Sequence, residues 1–389
     1  PHPRRKPLSQ PLLSPGLGRR YGSPMLQRNT PSRSLDVLVA TPSGGTGQGG
    51  IDRVMGGLGS ELERQGGSGL NVRFGATRGP GHIALSPLYL GGFLLRMIGL
   101  RAVGRLDVVH INLASAGSTY RKLQIARLAR LLRVPYVLHL HGGDYPNFWK
   151  GDASRLSRSI RTMFAGAARI IVLGETWRRF VISRAPEVTD AVVVLPNAAA
   201  QPSLPHSGGG ETAHILFLGR IGDLKGVPQL GEALNRMQHL ENWRATIAGD
   251  GHVEAARARA TEYGLADRVA LPGWVDGARV AELIASADIL VLPSFTENLP
   301  LSIIEAMASG LAVVATPVGA VPDIVRDGET GLLVPVGDVE ALATALTRLV
   351  EDPPLRQRLG AAALRLHREK LDLAPYARAV GEVWRAAAR

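Results

Sequence analysis

The sequence predicts an α/β protein of two tandem doubly wound domains facing a central cleft. Three observations predict it. At 389 residues the chain is too long for one ordinary domain and suits two of roughly 150–180 residues. Its apolar fraction is 45%, enough to form a buried core. The apolar residues fall into short runs that alternate strand-like and helix-like segments, the pattern of parallel βαβ units.

Taken in order, residues 1–34 come first, with seven basic groups (Arg4, Arg5, Lys6, Arg19, Arg20, Arg28, Arg33) and no acidic one. This Pro/Ser-rich tail cannot bury a core and is expected to be disordered. No basic–aromatic interleaving accompanies it, which argues against nucleic acid as a partner. The N-terminal domain is expected over 35–205. Leu35–Ala40 opens it as a short apolar strand, followed by a glycine-rich turn and a helix from about Ile51 to Arg64. Further strands are expected at Asn71–Phe74, Leu106–Ile111, Tyr136–Leu140, Arg169–Leu173 and Ala191–Leu195. Gln201–Gly210, rich in Pro, Ser and Gly, reads as the linker.

The second domain, 206–371, restarts the alternation at His214–Leu218. Its other strands are expected at Arg244–Ala248, Val269–Leu271, Ile289–Leu292, Ala312–Ala315 and Gly331–Val334. Helices Val339–Val350 and Pro354–Arg368 close it. After a break at Leu373–Pro375, residues 372–389 form a last helix free to pack back on the first domain. Tandem doubly wound domains bind ligands where the carboxyl ends of their strands face each other.

Composition excludes several classes. The absence of cysteine removes disulfides, thiolate metal sites and cysteine nucleophiles, and fits a reducing cytoplasm. No uninterrupted apolar run reaches the roughly 18 residues of a membrane span. The longest, Leu88–Leu100, is broken by Gly91, Gly92, Arg96 and Gly99. No apolar core follows the N-terminal basic residues, so no signal peptide is expected. The chain begins at Pro1 rather than Met, as a trimmed or incomplete N-terminus would.

Gly45-Thr-Gly47-Gln-Gly49-Gly50 follows a strand and opens a helix, formally satisfying the dinucleotide fingerprint. The second strand, however, runs into Gly75-Ala76-Thr77 with no acid to hold a ribose, which argues against a nicotinamide cofactor. The loop is expected instead to let backbone N–H groups near Gly49 and Gly50 approach a sugar or phosphate.

The most specific segment is Phe295-Thr-Glu297-Asn-Leu-Pro-Leu-Ser-Ile-Ile-Glu305-Ala-Met-Ala-Ser-Gly310. Pro300 is expected at the first helical position, where its missing N–H is harmless. Free N–H groups near Asn298, Leu299, Pro300 and Leu301 would then face an anion, aided by the helix dipole. Glu297, before the helix, and Glu305, within it, would accept hydrogen bonds from hydroxyls.

Together with Gly219-Arg220…Lys225-Gly226, Ala248-Gly-Asp-Gly251, Val194-Leu-Pro-Asn197, Asp288-Ile-Leu-Val-Leu-Pro293 and Gly319-Ala-Val-Pro-Asp323, this E-x7-E block resembles glycosyltransferase family 4. The likeness is dense over 214–350 and thinner from 35 to 205. It implies the GT-B fold, two Rossmann-like domains, and retaining transfer from a nucleotide-diphosphate sugar without metal or other cofactor. By that likeness Arg220 and Lys225 grip the diphosphate and offset leaving-group charge. Glu297 contacts donor-sugar hydroxyls and Glu305 holds the ribose diol. Gly219, Gly249, Asn197 and Asn298–Leu301 complete the donor site. In Leu138-His-Leu-His141-Gly-Gly-Asp144, His141 is the residue beside the donor sugar and Asp144 is second, while His139 is expected on the opposite face as a structural residue. Ala198 stands where the family usually has glycine and Asp323 where glutamate is common.

The acceptor is read more coarsely. Between residues 88 and 133 eight basic residues stand against one acid, Asp107. Tyr120–Arg133 interleaves them with Leu, Ile and Ala at helical spacing, a face suited to anionic lipid and to a lipid-linked glycan. That fits exopolysaccharide or cell-envelope polysaccharide synthesis at the inner face of a plasma membrane. The competing classes are a non-catalytic nucleotide-sugar-binding protein and an epimerase or dehydrogenase on a related fold.

Overall fold

The computed structural model describes residues 33–389 except 46, 48, 67, 68, 151 and 152. The basic tail, up to residue 32, lies outside the described residues.

The first half contributes β1 (Leu35–Thr41), α1 (Gly50–Arg64), β2 (Leu70–Ala76), α2 (Ser86–Ala102), β3 (Val108–Leu113) and α3 (Gly117–Leu131). It continues with β4 (Tyr136–Leu140), α4 (Tyr145–Phe148), α5 (Arg155–Ala165), β5 (Arg169–Val172), α6 (Glu175–Arg184) and β6 (Val192–Val194). The six strands form one parallel sheet in the order β2-β1-β3-β4-β5-β6. β3 and β4 are buried along their whole length, as strands covered by helices on both faces must be.

The second half contributes β7 (Ala213–Leu218), α7 (Val227–Arg236), β8 (Trp243–Ala248), α8 (Val253–Glu262), β9 (Val269–Gly273), α9 (Gly277–Ser286) and β10 (Ile289–Leu292). Then follow α10 (Leu301–Ala308), β11 (Ala312–Ala315), α11 (Val321–Ile324), β12 (Leu332–Leu333), α12 (Val339–Glu351) and α13 (Pro353–Leu366). Its parallel sheet has the order β12-β11-β10-β7-β8-β9. Each sheet reverses direction of growth once, between β1 and β3 and between β10 and β7, and such points open a crevice at the strands' carboxyl ends.

The last helix, α14 (Leu373–Ala387), packs against α1, β4 and β5 of the first half. The break expected at Leu373–Pro375 is corrected to Asp372: a π-helical segment, His367–Leu371, extends α13, Asp372 is extended (φ −77°, ψ 148°), and Pro375 lies inside the first turn of α14. Proline is tolerated there because the first N–H groups of a helix have no intrahelical acceptor. Asp372 caps the helix by accepting from Ala374 N at 2.9 Å. Tyr376, Val380 and Trp384 are buried on its inner face, each contributing on the order of 1.5–3 kcal/mol of apolar burial.

α2 is unlike the other helices. Phe93 and Met97 are buried beneath it, while Leu88 is 74% and Leu95 70% exposed. Its helical stretch Ile83–Ala102, mean hydropathy 1.6, is long and apolar enough to cross a membrane by length and composition alone. The glycines and Arg96 that break the apolar run in sequence do not break the helix. On α3 the expected basic face is narrower than the sequence suggests, because Lys122 is buried and donates to Thr77 Oγ1. Arg127, Arg130 and Arg133 remain exposed.

Candidate functional site

A cavity of about 610 Å³ opens between the two sheets, at the carboxyl ends of β4, β7, β8 and β10. Every residue expected in the site except Gly49 lines it.

From the second half, close backbone packing brings the charged groups in. At Gly249 φ is +154° and a Cβ would fall 1.8 Å from Gly219 O, so this turn excludes any side chain. At Gly226 φ is +69° and a Cβ would sit 2.1 Å from Pro293 O, which presses the preceding Lys225 against the loop after β10. Lys225 Nζ donates to Glu297 Oε1, and Ser294 Oγ donates to the same oxygen at 2.8 Å. Arg220 is exposed at the cavity wall and forms no ion pair among the described residues.

α10 begins at Leu301, with Pro300 as its N-cap in extended conformation (φ −72°, ψ 133°) and no side-chain cap. Pro300 is thus one residue earlier than expected, because its ψ keeps it outside the helical region. The first N–H groups of α10, from Leu301 and Ser302, stand at the cavity. The helix ends in a Schellman turn: Gly310 (φ +74°) donates to Met307 O at 3.1 Å and Leu311 to Ala306 O at 3.0 Å. Glu305, one turn into α10, pairs across the cleft with Arg53 of α1. Its Oε2 is buried without a partner. Burial pushes its carboxyl above the usual range, and the Arg53 charge opposes that shift.

From the first half, His141 follows β4. Its Nε2 lies 2.8 Å from Asn112 Oδ1. Asn112 Nδ2 already donates to Ala40 O, so Oδ1 is the acceptor and His141 carries its proton on Nε2. Burial, then the His110 charge, hold its pKa down to about 3, so the ring is neutral and its Nδ1 is an acceptor. His139 is not on the opposite face, which corrects the sequence reading. Its ring centroid is 3.9 Å from that of His141, since residues two apart along a strand share a side. The indole of Trp384 donates to His110 Nδ1 at 2.9 Å, and His110 Nε2 lies 3.3 Å from His139 Nδ1.

Asn197 and Asn298 are buried ties between the halves. Asn197 Nδ2 donates to Leu299 O at 3.0 Å, and Asn298 Nδ2 to Leu140 O at 3.1 Å. Asp323, the residue that departs from the family pattern, accepts from Glu175 N at 2.8 Å and so meets the N-terminus of α6. Asp144 is exposed and accepts from Asn147 Nδ2 at 2.7 Å.

The glycine loop differs from expectation. Ser43 N and Gly45 N both donate to Asp52 Oδ1 at 3.0 Å, so these two groups are spent inside the loop. Gly50 lines the cavity at the start of α1, whereas Gly49 does not. Thr46 and Gln48 lie outside the described residues.

Sequence reasoning missed Arg53, Ser294 and Gly143, and it read Asn112 only as the start of a segment, Asn112–Lys122, on the acceptor side, not as the partner of His141. A Cβ on Gly143 would fall 2.7 Å from the carbonyl carbon of Glu297, a contact between residues 154 apart in the chain that no local spacing encodes. The run His141-Gly-Gly-Asp144 was the one available signal, since paired glycines after a strand often mark close backbone approach.

Residues 207–365 match the family described as glycosyl transferases group 1, and residues 23–198 match the glycosyl transferase 4-like domain. The phosphatidyl-myo-inositol mannosyltransferase of Mycobacterium leprae is 32% identical over 268 residues, 67% of this chain and 68% of that protein. The 2-deoxystreptamine N-acetyl-D-glucosaminyltransferase of Streptomyces fradiae is 28% identical over 87% of this chain and 84% of its own length. The lipopolysaccharide core biosynthesis glycosyltransferase LpsE of Rhizobium meliloti is 36% identical over 62% of this chain and 76% of its own. Among solved structures, Anabaena HepE in complex with UDP and glucose superposes with a TM-score of 0.72 at 18% identity, covering 90% of this chain and 100% of that one. Sucrose-phosphate synthase from Thermosynechococcus elongatus gives 0.71 at 20% identity, covering 90% and 98%.

Proposed function

The chain belongs to the group 1 glycosyl transferases, with the GT-B fold of two Rossmann-like domains, and on that premise we propose that it is a retaining, metal-independent hexosyltransferase. Its donor is a nucleotide-diphosphate sugar, and its acceptor a glycan or lipid-linked glycan of exopolysaccharide or cell-envelope polysaccharide. The observation that carries this reading is one cavity holding both carboxylates of the E-x7-E block, each engaged by a cation, beside Arg220, which has no ion-pair partner among the described residues, and the start of α10, which has no side-chain cap.

In this reading Arg220 and Lys225 meet the diphosphate, with the α10 N–H groups adding positive potential. The charge that builds on the departing diphosphate is offset by these fixed groups, so the role often filled by a divalent metal is met by side chains. Glu297 accepts from donor-sugar hydroxyls, Glu305 from the ribose diol, and neutral His141 offers Nδ1 to a sugar hydroxyl. Gly219 and Gly249 keep the backbone low enough for the donor to lie between the halves.

The bond from the anomeric carbon to the phosphate oxygen breaks, and its electron pair leaves with the nucleoside diphosphate. The acceptor oxygen bonds to the same face of that carbon and gives its proton to a donor phosphate oxygen. Glu297 is already held by Lys225 and Ser294, which favours this route over a covalent sugar–enzyme intermediate. Trapping such an intermediate by mass spectrometry would overturn the same-face route.

The acceptor assignment is supported by the names of the mannosyltransferase and LpsE relatives and by the surface of the first half. Leu88, Leu95, Ile98 and Val103 of the α2 region are exposed, as is Leu131 of α3. Arg101 Nε donates to Leu132 O at 3.2 Å, which brings the C-terminal ends of the two helices together. Exposed apolar side chains, together with the exposed Arg101, Arg127, Arg130 and Arg133 of the same two helices and the turn after them, suit an anionic bilayer, on the cytoplasmic face where nucleotide sugars are supplied.

A thermal-shift panel of UDP-, GDP- and ADP-sugars, with NAD and NADP as controls, tests the donor on wild type and Glu305→Ala. A ligand that binds only the folded state raises its melting point. We expect a shift with one nucleotide class that Glu305→Ala loses. A shift with NAD alone would restore the dehydrogenase reading, and a donor-induced shift without transfer to any acceptor would favour a binding protein.

A further inference from the structure

α1 and α10 belong to different halves, yet both begin at the cleft, and one ion pair joins them. Arg53 lies one turn into α1 and its Nη2 meets Glu305 Oε1 one turn into α10. Arg53 is 42% exposed at its side chain and Glu305 18%. Both residues also line a second cavity of about 260 Å³, which lies against Ala198–Leu204 between the halves and the α9 helix. The pair therefore stands where the donor cavity meets the connecting segment.

The carboxylate needs this partner. Oε2 is buried without a hydrogen bond, so the group is costly to keep charged and free to rotate unless Oε1 is anchored. A carboxylate oxygen has two acceptor sites, so Oε1 can hold a guanidinium N–H and still accept a hydroxyl. Among the described residues no group on α10 donates to this carboxylate, Ser302 one turn earlier included. The residues around Glu305 in sequence are Ile303, Ile304, Ala306 and Met307, all buried and apolar.

We propose that Arg53 is a positioning residue for the donor: reaching from the N-terminal half, it fixes the Glu305 carboxylate in the orientation that receives the ribose diol, so that nucleotide recognition needs both halves together. This rests on the assignment of Glu305 to the ribose. Separating the halves would remove the anchor, and the nucleoside diphosphate would then bind the second half alone more weakly.

The test uses the full chain and whichever of UDP, GDP or ADP stabilises the wild type, together with its 2′-deoxy form. Affinities are measured by calorimetry for wild type, Arg53→Ala, Arg53→Lys, Glu305→Gln and the Arg53→Ala/Glu305→Gln double variant. Arg53→Ala is expected to weaken the ribonucleotide about tenfold and to narrow its preference over the deoxy form. Arg53→Lys, which keeps the charge, is expected to restore most of that loss. The double variant should be no weaker than Glu305→Gln alone, as for two residues acting through one contact. In steady-state transfer the donor KM should rise in Arg53→Ala with kcat at saturation little changed. Unchanged or tighter nucleotide binding in Arg53→Ala, with Glu305→Gln still losing the ribose preference, would overturn the role of Arg53 alone. Retention of the ribose preference in Glu305→Gln would overturn the ribose assignment and this inference with it.

Discussion

Lys225 and Glu297 form an ion pair in the cleft, and in the proposed reading a donor diphosphate competes for the same ammonium. Removing the lysine takes a positive charge from the leaving group's surroundings and leaves a nearly buried carboxylate facing it. Lys225→Met is therefore expected to lower kcat by about 10²–10³, the range typical of losing one preorganised charge-stabilising group. Steady-state kinetics at saturating donor would show it, and a change confined to KM would refute a role in the chemical step. Gly249 acts through shape instead. Its φ of +154° and the 1.8 Å approach of a Cβ to Gly219 O leave no room for a methyl group. Gly249→Ala is expected to destabilise the fold by at least about 1–3 kcal/mol, read from the urea midpoint. A midpoint equal to wild type would mean the turn can relax.

At the scale of elements, β3 and β4 carry a buried row of imidazoles that α14 completes. Burial holds the His110 pKa to about 4 and that of His141 to about 3, while His139 lies well below its ordinary 6.5. An unfolded chain would protonate these rings near 6.5, and the folded one cannot. Their contribution to stability is thus complete above about pH 6.5 and is lost as pH falls toward 4 and then 3, by about 1.4 kcal/mol per histidine per pH unit. The urea midpoint should fall steeply between pH 6.5 and 5, and His110→Asn should flatten that slope. An unchanged slope would mean the histidines do not drive acid unfolding. Because the three rings stay neutral in the folded state, the acid limb of activity should not report His141.

At the scale of the whole molecule, the first half presents an apolar helix, α2, beside a basic helix end, and the donor cavity opens between the halves. Flotation with phosphatidylglycerol vesicles at low salt is expected to carry the protein upward. Leu88→Ser/Leu95→Ser should weaken this while leaving the fold intact, since both side chains are more than two-thirds exposed. Replacing Arg127, Arg130 and Arg133 by Ser should weaken it on the order of 100-fold, at about 1 kcal/mol per basic group. Wild type that stays at the bottom of the gradient would sink the membrane assignment.

Much of this molecule was legible in the chain itself. Periodicity and glycine punctuation located β4, β10 and β11 to the residue, because buried parallel strands are short apolar runs with little else to disguise them. The ordered blocks around Arg220, Lys225, Glu297 and Glu305 pointed to the residues that line the cavity, since the first three follow closely on the ends of strands and Glu305 lies one turn into the helix after β10. Tertiary structure alone decided the pairings between distant residues. Arg53 with Glu305, Gly143 against Glu297, Trp384 with His110 and Asp323 with Glu175 each join segments more than 140 residues apart. It also decided that Lys122 turns inward and that α2 turns outward. A sequence pattern records which side of an element is apolar, but which neighbour covers that side depends on how the two halves fold onto each other.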